Sequence, residues 1–200
     1  MSVQRIQMIE LKEARQIAEK LEMPTQFADL NIFRTLFHNP SLGKAIGELL
    51  LTLLFRSSLD PRLRELVIMR IGWSTASEYE WTQHWTIALA QFGCSEKDLL
   101  EVRRWRESDH FDDPERAVLN ATDEIVQTGT LSEPGWQACV KTQPQDVTRV
   151  ELVASIATWH LISQLTRSLD IALEDGVAPW PPDGHGPESK LSLGQKGESS

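Results

Sequence analysis

The sequence puts a carboxylate where one is costly. Glu65 lies in the run Leu63 to Ile71, flanked by Leu63, Leu66 and Ile68, the most apolar helical stretch of the chain. A carboxyl group in such surroundings must be paired, hydrogen-bonded or kept protonated. Further on, Glu80 and His84 are four residues apart and so share one helical face. That face also carries Ser77 and lies off the stripe of Trp81, Trp85 and Leu89. A carboxylate beside an imidazole orients the ring and raises its pKa, an arrangement suited to general acid/base proton transfer at neutral pH. Tyr79, the single tyrosine, stands next to this group and offers a hydroxyl donor. His160, on what reads as the core face of the last helix, would line a pocket if that helix packs over the site. No phosphate-cradling glycine loop, nucleophile elbow or metalloprotease helix is present.

Each of these residues also has a purely structural reading. Ser77-x-x-Glu80 is a capping box, as is Thr75-x-x-Glu78 one register earlier. Glu65 could be anchored by Arg64, Arg70 or a neighbouring helix, and His160 could be a buried, hydrogen-bonded core histidine. Trp81 and Trp85 read as packing, within the chain or across a subunit contact. His38, His110 and His185 read as solvated, and Asp109, Asp112, Asp113, Glu174 and Asp175 as exposed caps and turns. Of Glu65, Glu80 and His84 only two have helix spacing suited to one metal ion, so neither a metal nor another cofactor is expected.

The elements that must position this group are helices throughout. Apolar residues recur at helical spacing almost everywhere, and no segment alternates like a half-buried strand. Stripes run from Ile9 to Leu21, from Phe27 to Phe37, and from a Ser41 cap to about Ser57, after the Asn39-Pro40 breaker. Asp60-Pro61 and Asp113-Pro114 are cap-plus-proline starts, and Ser95 and Ser132 open two more helices. The longest helix is predicted over about Asp146 to Leu173, with Val150, Val153, Ile156, Ala157, His160, Leu161, Leu165 and Leu169 on or near one face. The expected fold is therefore all-α, about eight helices in one domain over residues 1–175. Residues 176–200, rich in Pro, Gly and Ser, read as a flexible tail with Trp180 pinned to the surface.

Composition limits the partners. The 200 residues carry a net charge of −9, which disfavours nucleic acid and anionic membranes. Two separated cysteines, Cys94 and Cys139, make no disulfide framework. The run Leu49 to Phe55 is far too short for a membrane span, and the stretch to Leu21 is studded with Gln, Glu, Lys and Arg rather than forming a signal-peptide core. A cytoplasmic protein is expected.

The run RELVIMRIGW…SEYEWTQHW resembles the carboxymuconolactone decarboxylase and alkylhydroperoxidase AhpD-like superfamily, with matching helix order from about Asn31 to Glu174. Many members carry a C-x-x-C pair ahead of a histidine and a glutamate twelve residues before the first cysteine. With His84 on that histidine, Ser77 and Glu80 fall on the cysteine positions and Glu65 on the glutamate. The resemblance implies an AhpD-like helical bundle. Ser77 and Glu80 cannot form a sulfenic acid or disulfide, so the dithiol peroxidase chemistry of one branch is not expected. The pattern resembles instead the decarboxylase branch, which implies a small cyclic or unsaturated carboxylic acid (a lactone acid) as substrate. In that reading His84 is the general acid/base, Glu80 its orienting partner and Glu65 a second, protonated carboxyl, with Ser77, Tyr79 and His160 binding substrate. The alternatives are a hydroperoxide reductase using Cys94 or Cys139 as a lone thiol, and a non-catalytic member that binds a small acid.

A homo-oligomer, dimer or trimer, is also expected. The helix from Leu63 to Ile71 needs cover on nearly every side, Trp81 and Trp85 form an aromatic stripe, and the resemblance implies symmetric assembly as dimers, trimers or hexamers. The Glu65/Glu80/His84 site would then lie close to a subunit boundary.

Overall fold

The computed structural model describes residues 5–188. Among them are nine α-helices and no strand: α1 (Leu11–Lys20), α2 (Asn31–Leu36), α3 (Pro40–Phe55), α4 (Pro61–Ser74), α5 (Glu78–Gln91), α6 (Glu96–Glu101), α7 (Asp113–Thr128), α8 (Glu133–Thr142) and α9 (Asp146–Ser168). The fold is all-α, as the periodicity predicts. Caps set most boundaries. Asp60 accepts from the amides of Arg62 (2.9 Å) and Leu63 (3.0 Å), with proline leading α4. Ser95 and Asp98 form a capping box on α6, and Ser132 accepts from Gly135 N on α8. Two starts differ from expectation by one or two residues. Asn39, not Ser41, caps α3 by accepting from Leu42 N, and Asp112, in a capping box with Glu115, caps α7. In both cases the side chain before the proline-led turn reaches the free amide first.

α4 is the central element. Leu66, Val67, Ile68, Met69 and Ile71 are fully buried, covered by α5, α7 and α9 of the same chain. The expected need for a partner to cover this helix is thus met internally. Trp81 and Trp85 are buried within the chain too, Trp81 packing on Trp73 and Trp180. The turn between α4 and α5 is tight. Ala76 adopts a left-handed φ of 54°, and Ser77 N donates to Gly72 O at 2.8 Å. A Cβ on Gly72 would meet the backbone of Trp81 at 3.1–3.3 Å, so glycine here lets the two helices close in and sets Glu65 opposite His84.

α9 is turned from its predicted face. Leu152, Ser155, Ile156, Trp159, Ile162, Ser163 and Thr166 point inward, whereas Val150 is 68% exposed and Val153 and Leu161 are also exposed. The helix ends at Ser168, short of Leu173. Beyond it the chain turns back over α5. Trp180 N donates to Thr82 Oγ1 (3.1 Å), Trp81 Nε1 donates to Pro181 O (2.8 Å), and Arg103 pairs with Asp183 (2.7 Å). Residues 176–188 of the predicted tail are therefore held against the bundle, with Trp180 as the pin. Residues 189–200 lie outside the described residues. Among the described residues no helix is long and apolar enough to cross a membrane.

Candidate active site

The α4–α5 pair delivers three ionisable side chains to one place. Glu65, fully buried, holds His84 Nδ1 at 2.8 Å through Oε2. Its other oxygen faces the Arg64 guanidinium at 3.4 Å. Arg64 is itself buried, donating to Leu53 O and stacked on the Phe92 ring at 4.5 Å. The cation balances the Glu65 charge, without which a carboxylate at this depth would be strongly unfavourable.

The far nitrogen of His84 accepts from the indole of Trp159, Nε1 to Nε2 at 3.1 Å. Indole N–H is only a donor, so this bond selects the ring tautomer protonated at Nδ1 and aimed at Glu65. Glu80 Oε2 lies 3.9 Å from Nε2, too far for a hydrogen bond. Among the described residues Glu80 has no hydrogen-bond partner, although it is almost wholly buried. Burial, reinforced by the Glu65 charge and only partly offset by His84, pushes its carboxyl up to about 7. Burial pulls the His84 ring down, but the Glu65 carboxylate outweighs it by charge and hydrogen bond, and the net direction is upward. With Arg64 and Glu65 cancelling, one proton distributed between Glu80 and His84 keeps the cluster neutral, so the two titrate as a pair.

Glu80 and His84 open onto a cavity of about 370 Å³ between α5, α9 and the segment from Phe27 to Phe33. One wall is a single face of α5: Glu80, Gln83, His84, Ile87, Ala90 and Gln91. The opposite wall is apolar, with Phe27, Leu30, Phe33, Leu54 and Ile162. A largely apolar chamber with a few polar groups along one wall is the arrangement of a small-molecule site.

The predicted residues fall into three places. Glu65, Glu80 and His84 come together, but the partnership is reversed: Glu65, not Glu80, orients the imidazole. Tyr79 lines the cavity, yet its hydroxyl is committed to Glu174 Oε1 (2.6 Å) and accepts from Ile32 N (3.3 Å). Ser77 and His160 are away from it. Ser77 is the residue before α5, but its buried hydroxyl bonds Thr166 Oγ1 at 3.1 Å and caps no amide. The capping box is not formed because Ser77 N is already satisfied by Gly72 O, and this leaves Glu80 free to face the cavity. His160 is half-buried beside Gln164, one position round α9 from Trp159.

Three participants escaped sequence reasoning. Trp159 was hidden by the misjudged face of α9. Glu174, read as an exposed turn acid, ties together Tyr79, Gln83 and Asn31 N. Gln83 carried no signal beyond lying one residue before His84 on the same helix face. Both cysteines are buried, burial pushing the Cys94 thiol up to about 12 and raising that of Cys139. Among the described residues no cluster of His, Cys, Asp or Glu is arranged to hold a metal ion.

Comparison with known proteins agrees with this picture. Residues 40–124, which include α4, α5 and most of α7, match the Carboxymuconolactone decarboxylase family. An uncharacterized peroxidase-related protein from Ralstonia eutropha JMP134 with an alkylhydroperoxidase AhpD core has the same fold (TM-score 0.70, 18% identity, 88% of this chain and 94% of that chain). So does the debrominase Bmp8, in complex with 2,3,4-tribromopyrrole (TM-score 0.68, 17% identity, 88% of this chain and 94% of that chain). A peroxidase-related protein from Silicibacter sp. TM1040 is similar as well (TM-score 0.66, 14% identity, 83% of this chain and 85% of that chain). No curated protein matches the sequence.

Proposed function

We propose that this chain, whose residues 40–124 match the Carboxymuconolactone decarboxylase family, is an enzyme that moves a proton by general acid/base catalysis on a small cyclic or unsaturated carbonyl compound. The observation that supports this most is Glu80, a buried carboxyl that faces the cavity, has no hydrogen-bond partner among the described residues, and has its pKa raised by burial to about 7. A group whose pKa matches the working pH is the most effective proton donor and acceptor. Glu80 is assigned the transfer. His84, fixed between Glu65 and Trp159, is the neighbour that tunes it by accepting or releasing the shared proton.

Two reactions use this apparatus. A lactone acid can lose carbon dioxide to leave an enolate, which Glu80 protonates at carbon. Alternatively, Glu80 takes a proton from the carbon next to a carbonyl, exchanges it with solvent and delivers a proton two carbons away, shifting the double bond. Neither needs the C-x-x-C pair that Ser77 and Glu80 replace. The peroxidase reading is disfavoured, because a buried thiol raised to about 12, as at Cys94, supplies almost no thiolate at neutral pH. The test is solvent-deuterium incorporation into a panel of lactones, enones and lactone acids, followed by proton NMR. Exchange lost in Glu80→Gln and retained in the double variant Cys94→Ser/Cys139→Ser supports the assignment; full exchange in Glu80→Gln overturns it.

Assembly as a homo-oligomer remains part of the proposal. It now rests on exposed apolar side chains: Leu42, Leu49 and Phe55 on α3, and Val147, Val150, Val153 and Leu161 on α9.

A further inference from the structure

We infer that the ligand of this cavity is a small uncharged molecule, an apolar body with one carbonyl-type oxygen, and that carboxylate ligands are excluded. The inference rests on the proton-transfer reading of the site and chooses between its two reactions in favour of the proton shift. It starts from what faces the cavity. Among the described residues that line it there is no lysine or arginine, while Glu80 contributes a carboxyl group. Arg64, behind the imidazole, is spent on Glu65, Leu53 O and the Phe92 ring.

The neutral donors beside Glu80, Tyr79 and Gln83, already donate to one residue, while Thr86 and Gln91 line the cavity further along α5. Glu174, which follows α9, accepts from Tyr79 Oη at 2.6 Å, from Asn31 N at 2.8 Å, and from the Gln83 amide. Ile32 N donates to Tyr79 Oη at 3.3 Å. Tyr79, Gln83 and Ile32 all line the cavity. The chain thus supplies its own carboxylate to the donors beside Glu80. Burial and the Glu174 charge keep the Tyr79 phenol protonated, its pKa well above the ordinary value, so it remains a donor to that carboxylate. A ligand carboxylate would meet the ionised Glu80 in a largely apolar chamber with no lysine or arginine among its described lining residues, and both effects disfavour it. An uncharged carbonyl needs only one donor. The second hydrogen of the Gln83 amide, or protonated Glu80, supplies it.

For such a ligand the chemistry is closed. The Glu80 carboxylate removes a proton from the carbon next to the carbonyl, the C–H electron pair moves into an enolate, and the Glu80 carboxyl, whose proton exchanges with solvent, delivers a proton to the far carbon of the conjugated system. One C–H bond breaks and one forms, the double bond migrates, and no oxidant or reductant is required.

The experiment compares a lactone acid with its own ester. Paraconic acid and methyl paraconate are titrated into the full chain by isothermal titration calorimetry at pH 8, where the acid and Glu80 are both ionised. The ester is expected to bind at least tenfold tighter than the acid. In Glu174→Ala, which frees the donors at Tyr79, Gln83 and Asn31, the acid is expected to gain at least tenfold while the ester changes little. Ile87→Trp, which fills the cavity, should abolish ester binding, and circular dichroism checks that each variant is folded. The inference is overturned if the acid binds as tightly as the ester, if neither binds at millimolar concentration, or if Glu174→Ala leaves acid binding unchanged. Because binding is read without turnover, a bound ester that exchanges no deuterium would count against the proton-transfer reading while leaving the ligand class intact.

Discussion

Replacing Glu80 with glutamine should make the protein more stable at pH 8 while removing its activity. Glutamine has the shape of the protonated carboxyl, so it keeps the packing and removes only the charge. The carboxyl of Glu80 ionises at about 7 in the folded chain against an ordinary value of 4.5. Between those values the folded state binds more protons than the unfolded one, so stability is greatest below 4.5 and is lost as pH rises through 7. At about 1.4 kcal/mol per pH unit, ionised Glu80 costs the folded protein about 3 kcal/mol at pH 8. For a chain of this size that corresponds to roughly 6–12 °C in melting temperature. His84 shifts in the same direction, since a raised histidine pKa also gives stability present at low pH and lost as pH rises. Urea unfolding of parent and Glu80→Gln, followed by circular dichroism from pH 4.5 to 8.5, reads the difference directly. The curves should meet near pH 4.5 and part progressively, with the variant above the parent. A variant less stable than the parent at pH 8, or a gap that does not change with pH, would refute the reasoning.

Other perturbations follow from the same geometry. Trp159→Phe removes the donor to His84 Nε2, so the imidazole pKa should rise further, measured by the NMR titration of its ring protons, at a stability cost of about 1 kcal/mol. Glu65→Gln frees His84 from its orienting carboxylate and leaves Arg64 buried without a counter-charge, which should cost about 3–5 kcal/mol in urea titrations and abolish deuterium exchange. Ser77→Ala loses only the hydroxyl contact to Thr166, so activity should persist with about 1 kcal/mol less stability.

The legible parts of this protein were those written in local sequence. Asp60 before proline and the apolar run from Leu63 to Ile71 announce α4, and the four-residue spacing of Glu80 and His84 announces a shared face on α5. That Glu65, Glu80 and His84 form one site followed from the resemblance, not from spacing. The hydrogen bond between Glu65 and His84 joins two helices and has no local signature, so the nearer carboxylate in sequence was mistaken for the orienting one. α9 misled for a different reason. It buries the hydroxyls of Ser155, Thr158, Ser163 and Thr166 and exposes Val150, Val153 and Leu161, inverting the usual pattern. Small hydroxyl residues allow close helix packing, and apolarity alone therefore selected the wrong face and with it His160 in place of Trp159. Glu174 lies beyond the end of that helix. Its three partners come from α2 and α5, a convergence visible only once the chain is folded.

The most direct measurement is the titration of the Glu80 side-chain carboxyl by carbon-13 NMR, assigned by difference against Glu80→Gln. The account predicts a midpoint near 7, with a second inflection reporting the coupled ionisation of His84. A single midpoint close to 4.5 would contradict it, for Glu80 would then be an ordinary ionised carboxylate at neutral pH and unable to donate the proton assigned to it.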